Sequence, residues 1–359
     1  MAKFAPIINM TQTILITGAG GYIGTTLVPA LLEAGHHVIA VDTFWFGREL
    51  LPEHPRLRCV QCDVRDLDIN QMRGVNCVID LAALSNDPCG ETYADATWQI
   101  NHQARLHTAT LAKQAGVQRY LLASSCSVYG FHADLLSETS TTQPLTTYAQ
   151  ANLAAEKDTL ALADDNFCAS ALRLATLFGV SPRMRLDLVV NSMCYSAWRH
   201  GEITVNGGGT QARPLLHVHD AADAFIKVMA AESDLVCGEV INIGSPSMNC
   251  SIEEIASGLR KSFSDRQHRS IDIRHCGPQD MRSYQVDFSK LERITSWLPQ
   301  RCWHDEQPSI VRFLEGCRSD ALLRCHTLDY YKMLLKKQII APSFYSASDA
   351  GAYLKNNLP

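Results

Sequence analysis

The first half of the chain alternates short apolar, β-branched runs with longer stretches of helical periodicity. Residues 11–17 (TQTILIT) predict a buried strand. Past a glycine cluster, Ile23, Leu27, Ala30, Leu31 and Ala34 recur at helical spacing, and Gly35 is a stop signal. HHVIAVD, RLRCVQCDV and VNCVIDLAA predict strands two to four. Residues 92–115 predict one long helix, RYLLASSCSVYG a fifth strand entering a loop, TTYAQANLAAEKDTLALAD a helix, and CASALRLATLFG another strand. Strands alternating with helices in this way predict an α/β protein, with a doubly wound parallel sheet of Rossmann type.

After Gly179 the rhythm breaks. VSPRMRLDLVVNSM predicts a loop and a helix, GEITVNGGGTQARPLLHVHD a pair of short strands, HDAADAFIKVMAAE a helix and GEVINIG a short strand. SIEEIASGLRKSF opens on a capping box, with Ser251 at the N-cap and Glu254 three residues on. The domain plan expected is a tail over 1–10, the Rossmann domain over 11–180, and a smaller mixed α/β substrate-binding domain over 181–317. Some later segments return to the first domain. Residues 318–359 form a C-terminal helical extension, amphipathic over SDALLRCHTLDYYKMLLKKQII.

The turn after the first strand reads TGAGGYIG, with Gly18, Gly21 and Gly24 three apart. One glycine makes the tight turn, one admits a pyrophosphate to the backbone, and one lets the helix pack on the sheet. The helix N-terminus then offers N–H groups and a positive dipole end to the anion. Strand before and helix after are the context this motif requires. Asp42 ends the second strand, where a carboxylate accepts bonds from ribose hydroxyls and repels a 2′-phosphate, so the expected cofactor is NAD. Arg48 nearby leaves NADP open.

Composition narrows the picture further. Hydrophobic residues make up 46% and charged residues 19% of 359, which excludes disorder for the bulk of the chain. No apolar run is long enough for a membrane span, and MAKFAPIINM is too weakly apolar for a secretory signal. A net charge of −5 without a basic stripe argues against nucleic acid as partner. Thirteen cysteines, an odd number without a leader, are read as reduced thiols in a cytoplasmic protein. The one close pair, Cys59 and Cys62, lies in a strand and is read as buried and structural. His217-x-His219 falls at a strand-to-helix junction with Asp220 opening the helix, and no metal is expected.

Seven motifs then stand in order: TGAGGYIG, CDVRD at 62–66, LAALSND at 81–87, SSCSVYG at 124–130, TYAQANLAAE at 147–156, LRLATLFG at 172–179 and ARPLLHVHD at 212–220. With them the chain resembles the extended short-chain dehydrogenase/reductases, the NAD-dependent epimerase/dehydratase group acting on nucleotide sugars, over roughly residues 12–315. The resemblance implies Tyr148 as the proton shuttle and Ser125 as the hydroxyl bonding the same substrate oxygen. It implies that NAD contacts Tyr22, Ile23, Asp63, Val64, Leu81, Ala82, Ala83 and Asn101 besides the glycines and Asp42. It also implies that Asn191, Arg213 and Arg282 bind a nucleotide diphosphate sugar, with Arg183 and Arg185 as added charge or solvated surface. A homodimer through helices 92–115 and 147–165 is expected.

The family has a Lys four residues after the Tyr, and this chain has Asn152. Lys157, nine residues on, falls on the opposite helical face. Asn152 can still bond a ribose but brings no charge to lower a phenol's pKa from about 10. Strand alternation points Ser125 and Ser127 into the site and Cys126 away. Family members that dehydrate or decarboxylate carry an acid near 126 or 127, and enediol epimerases a Cys at the position of Ser127. The expectation is hydride transfer at one sugar carbon, as a 4-epimerase or a net oxidoreductase. The alternative is a non-catalytic NAD-binding sensor or scaffold of the same fold.

Overall fold

A computed structural model describes residues 11–277 and 283–340. Strands β1 (Thr13–Thr17), β2 (His37–Asp42), β3 (Leu57–Gln61), β4 (Cys77–Asp80) and β5 (Arg119–Ser125) form where the apolar runs predict them. A two-residue β6 (Leu135–Leu136) follows, and then β7 (Cys168–Leu174). Helix α1 (Gly24–Glu33) follows β1; α2 (Asp87–Thr92), α3 (Ala94–Trp98) and α4 (Arg105–Gln114) join β4 to β5; α5 (Thr147–Leu160) leads into β7. Every strand of the main sheet pairs in parallel, in the order β3-β2-β1-β4-β5-β7-β11, the last being Val240–Ile243. The order reverses direction between β1 and β4, which opens a crevice at the carboxyl ends of the strands.

The predicted single helix over 92–115 is interrupted. The chain bends at Tyr93 and makes a π-helical turn over Gln99–Ala104 before α4. Asn101 sits in that turn, fully buried, and its carboxamide bonds both backbone groups of Leu84, at 2.8 and 3.0 Å. Such turns gather at functional sites.

The second half builds smaller sheets. Strand β8 (Thr176–Phe178) leaves the main sheet after Ala175. Helix α6 (Val189–His200), β9 (Glu202–Asn206), β10 (Ala212–His217), α7 (Val218–Ala230) and α8 (Ser233–Val236) follow. After β11 come β12 (Asn249–Ser251), α9 (Ile252–Gln267), β13 (Asp272–Cys276), β14 (Gln285–Val286), α10 (Ser289–Thr295) and α11 (Trp303–Gly316). The short strands β9 and β10 do not pair with each other as expected: β9 pairs with β13, and β10 lies between β8 and β12. Gly207, Gly208 and Gly209, all at positive φ, carry the chain from one sheet to the next in place of a hairpin turn. Helix α7 begins before Asp220, because the His217 ring accepts the His219 N–H and caps it. The capping box of Ser251 and Glu254 opens α9 as predicted. Cys59 and Cys62 are free and half-buried rather than buried. No helix among the described residues is long and apolar enough to cross a membrane.

Candidate active site

One cavity of about 690 Å³ follows the crevice and is lined by the residues at or just past the carboxyl ends of six main-sheet strands: Gly18, Asp42, Cys62, Leu81, Ser125 and Ala175. Its volume is that of a site for a sizeable ligand. The glycine loop forms its floor at one end. Gly18 has φ +68°, and a Cβ there would meet the backbone of Ala82 at 2.8 Å. A Cβ on Gly24 would stand 2.5 Å from the carbonyl oxygens of Gly18 and Ala19. Helix α1 therefore starts hard against the loop that leaves β1, and its N-cap Ile23 offers no side-chain acceptor to the first amides. This is a cradle that fits a pyrophosphate. Gly24→Ala is expected to lower stability by about 1–3 kcal/mol, read as a lower urea midpoint at unchanged m-value.

Gly21, Tyr22, Ile23, Asp63, Val64, Ala82 and Ala83 also line the cavity, so most of the expected cofactor set is gathered. Tyr22 contributes its ring, since its hydroxyl donates to the Gly179 carbonyl. Asp63 accepts from the Arg65 guanidinium at 2.7 Å. Asn101 is placed elsewhere, behind the wall, where it shapes the Leu84 loop. Asp42 accepts from the Gly20 and Phe44 amides at 3.0 and 2.7 Å, so its carboxylate also tethers the glycine loop. Burial raises its pKa, against those hydrogen bonds and the charge of Arg183.

At the Asp42 end the C-terminal extension reaches the cavity. Helices α12 (Ser319–Arg324) and α13 (Thr327–Lys336) follow α11, and Tyr331 of α13 lines the cavity beside Phe46 and Arg183. Tyr330 and Tyr331 pack on the Phe46 ring at 5.2 and 5.7 Å. Arg183 lies 3.7 Å over the same ring and bonds Thr327 Oγ1 at 3.0 Å. Arg183 and Arg185 are thus buried, not solvated. Burial and the neighbouring Arg185 push Arg183 down to about 10. The sequence carried no sign of this contact, because 278 residues separate Arg324 from the Phe46 carbonyl it bonds.

At the other end stand the expected reactive groups. Thr146 caps α5, its hydroxyl accepting from the Ala149 N–H at 3.2 Å and donating to Asp87 at 2.7 Å. Tyr148 follows in the first turn and lines the cavity with Ser125, Ser127 and Asn152. After Ser125 the chain turns into a 3₁₀ segment over Cys126–Tyr129 instead of staying extended. The alternation survives: Cys126 is buried with its thiol on the Arg173 carbonyl, and both serines face the cavity. Burial raises the Tyr148 pKa; Arg105 opposes this most, Asp87 adds to it, and hydrogen bonding to Ser125 lowers it again. Asn152 is not free to bond a ribose with its whole carboxamide. Its Oδ1 accepts from Arg105 at 2.8 Å and its Nδ2 donates to the Tyr148 carbonyl at 2.9 Å.

Of the residues expected to bind a nucleotide, Arg213 lines the cavity, its guanidinium over the Tyr284 ring at 5.4 Å. Arg185 lines it too, clamped by Asp187 at 2.8 Å and reaching Ser85 Oγ at 3.1 Å. Asn191 is fully buried outside the cavity lining, bonding Gly179 N, Arg185 O and the Tyr22 hydroxyl, so it holds the loop over 179–185. Arg282 lies outside the described residues. Arg105 and Asp87 were not singled out from sequence. The only signal for Arg105 is a lone arginine four residues after Asn101, on the same helical face.

Residues 14–244 match the NAD dependent epimerase/dehydratase family. UDP-glucuronic acid decarboxylase 3 of Arabidopsis thaliana is 28% identical over 306 residues, covering 80% of this chain and 84% of the relative. UDP-glucuronic acid decarboxylase 1 of Danio rerio is 25% identical over 315 residues, covering 83% and 72%. Among solved structures, MoeE5 in complex with UDP-glucose and NAD superimposes with a TM-score of 0.73 at 26% identity, over 85% of this chain and 99% of its own. UDP-glucuronic acid 4-epimerase from Bacillus cereus, in complex with UDP-glucuronic acid and NAD, is similar in fold, with a TM-score of 0.76 at 22% identity over 85% and 99%. Motif order, the parallel sheet with its reversal point and the match over more than half its length agree: the chain belongs to the NAD-dependent epimerase/dehydratase family.

Proposed function

We propose that the protein is an NAD-dependent nucleotide-sugar epimerase or oxidoreductase acting at one sugar carbon, C4 foremost, with Tyr148 as acid and base. The observation that carries this reading is the meeting of Tyr148, Ser125 and a buried arginine in the wall of the cavity that begins at the glycine loop. The glycine loop and Asp42 would hold NAD, which would supply reversible hydride transfer at the sugar carbon. Tyr148, as phenolate, takes the proton from the sugar hydroxyl and gives it back in the return step. Ser125 donates a hydrogen bond to the same oxygen and fixes its place. The glycine loop and Asp42 are read as holding the pyrophosphate and ribose of NAD, and Arg213 and Arg185 as facing the nucleotide diphosphate.

Decarboxylation, the activity named for the curated relatives, is not favoured. The loop after β5 carries Cys126 and Ser127 where decarboxylating relatives are expected to carry an acid. A cytoplasmic homodimer, paired through α3, α4 and α5, belongs to the same reading.

The test is a panel of nucleotide sugars with the purified protein, following NADH by absorbance and products by NMR. Conversion of one sugar to its C4 epimer without net NADH is expected. Stoichiometric NADH would make it a dehydrogenase. Loss of carbon dioxide would overturn the exclusion of decarboxylation. Tight NAD binding without turnover on any sugar would leave the non-catalytic scaffold.

A further inference from the structure

Tyr148 needs a fixed positive charge to work near neutrality, and its own helix supplies none on that face. Asn152 stands one turn on, and Lys157 is exposed. A cation reaches the place from another element. Arg105 is the first residue of α4, directly after the π-helical turn, and is 1% exposed. Its Nη2 donates to the carbonyls of Asp80 and Ala123, at 3.1 and 2.6 Å, across the ends of β4 and β5. Its Nη1 donates to Asn152 Oδ1 at 2.8 Å, and Asn152 Nδ2 in turn bonds the Tyr148 carbonyl at 2.9 Å. Arg105 and Asn152 both line the cavity with Tyr148.

We propose that Arg105 is the positioning cation of this site: held by Asn152, it does the electrostatic work that a lysine at 152 would do and biases Tyr148 toward the phenolate. The asparagine is then an adaptation to the arginine. A lysine there would place an ammonium against a buried guanidinium, whereas a carboxamide offers its oxygen to the guanidinium and its N–H to the helix. A guanidinium keeps its proton throughout the working range, so the charge is permanent. Its burial is made tolerable by three oxygen acceptors and by the Asp80 carboxylate 3.5 Å from Nε. That carboxylate accepts from the hydroxyls of Thr17 and Tyr120, while Arg105 Nε makes no hydrogen bond to it.

The other charged or titratable groups facing Tyr148 do not replace it. Asp87 of α2 opposes the phenolate, and Arg185 favours it but is clamped bidentately by Asp187. Glu91 of α2 is occupied by the Thr147 amide at 2.8 Å. Tyr284, across the cavity, is a second phenol whose own pKa burial raises beyond the working range.

The proposal rests on the reading of Tyr148 as acid and base only for the use of the charge; its test needs no substrate. Tyrosinate absorbance of the NAD-loaded protein is titrated, and the Tyr148→Phe titration is subtracted to isolate Tyr148. Arg105→Gln is expected to raise the Tyr148 pKa by about one unit or more, while Arg105→Lys keeps most of the opposition to that rise in place. Asn152→Asp keeps an acceptor for Arg105 but neutralises it, and is expected to raise the pKa likewise; this variant serves if Arg105→Gln does not fold. An unchanged Tyr148 pKa in a folded, NAD-binding Arg105→Gln or Asn152→Asp protein would overturn the proposal. Failure of every nucleotide sugar to turn over, with these shifts present, would count against the proposed reaction and not against Arg105.

Discussion

Tyr148→Phe is expected to lower kcat for nucleotide-sugar turnover by roughly 10²- to 10⁴-fold, the usual loss of a positioned acid–base group. NAD affinity is expected to change little. The phenyl ring remains to fill the cavity wall beside Ser125 and Asn152, so the fold loses one hydroxyl and little else. The sign of the pH dependence follows from which form works. Oxidation of the sugar needs the phenolate, so its rate rises with pH and levels off above the Tyr148 pKa. Burial moves that limb up, and Arg105 is the largest influence moving it back. Kinetics of the wild type and Tyr148→Phe across pH, with NAD binding measured alongside by calorimetry, check this. A variant that keeps its kcat would remove Tyr148 from the chemistry.

The second large effect concerns residue 152, where the resemblance leads to the expectation of a lysine. Asn152→Lys restores the expected family pattern on paper, yet it is expected to damage this protein. Residue 152 is 1% exposed, and its side-chain oxygen lies 2.8 Å from a guanidinium nitrogen. An ammonium there meets a buried like charge and takes away the acceptor that Arg105 uses. Leaving a buried charge uncompensated costs about 3–5 kcal/mol, a large part of an ordinary domain's stability. Urea unfolding is expected to show the loss, and kcat to fall with it. Adding Arg105→Gln to Asn152→Lys removes the clash and is expected to recover most of both. A rate gain from Asn152→Lys alone would mean that the asparagine is a defect and not an adaptation.

How much of this was legible in the chain depends on the range of the interactions. The glycine loop could be read because its requirement is local: a strand, three glycines at fixed spacing and a helix, with Gly18 at positive φ under the Ala82 backbone. The inward turn of Ser125 and Ser127 could be read from strand periodicity, and it persists although the segment tightens into a 3₁₀ turn. Lys157 could be set aside on helical geometry alone. The pairing of β9 and β10 was misread because hairpin expectation is built on sequence neighbours, whereas β9 finds its partner in β13, some seventy residues on. Asn191 was expected at the diphosphate on resemblance alone, and its carboxamide is instead enclosed by three backbone and side-chain partners.

The sequence by itself determined the α/β class, the order of the parallel units, the anion cradle and the absence of a lysine at 152, since each of these is written in spacings of a few residues. Only the tertiary structure decided which charged group Asn152 meets and what covers the Asp42 end of the cavity. Arg105 comes to Asn152 across 47 residues through a π-helical turn that has no pattern of its own, and Tyr331 comes to Phe46 across nearly the whole chain. The physical reason is the same in both cases. A buried charge or ring is placed by the partners that surround it after the layers have packed, and those partners are neighbours in space and not in sequence.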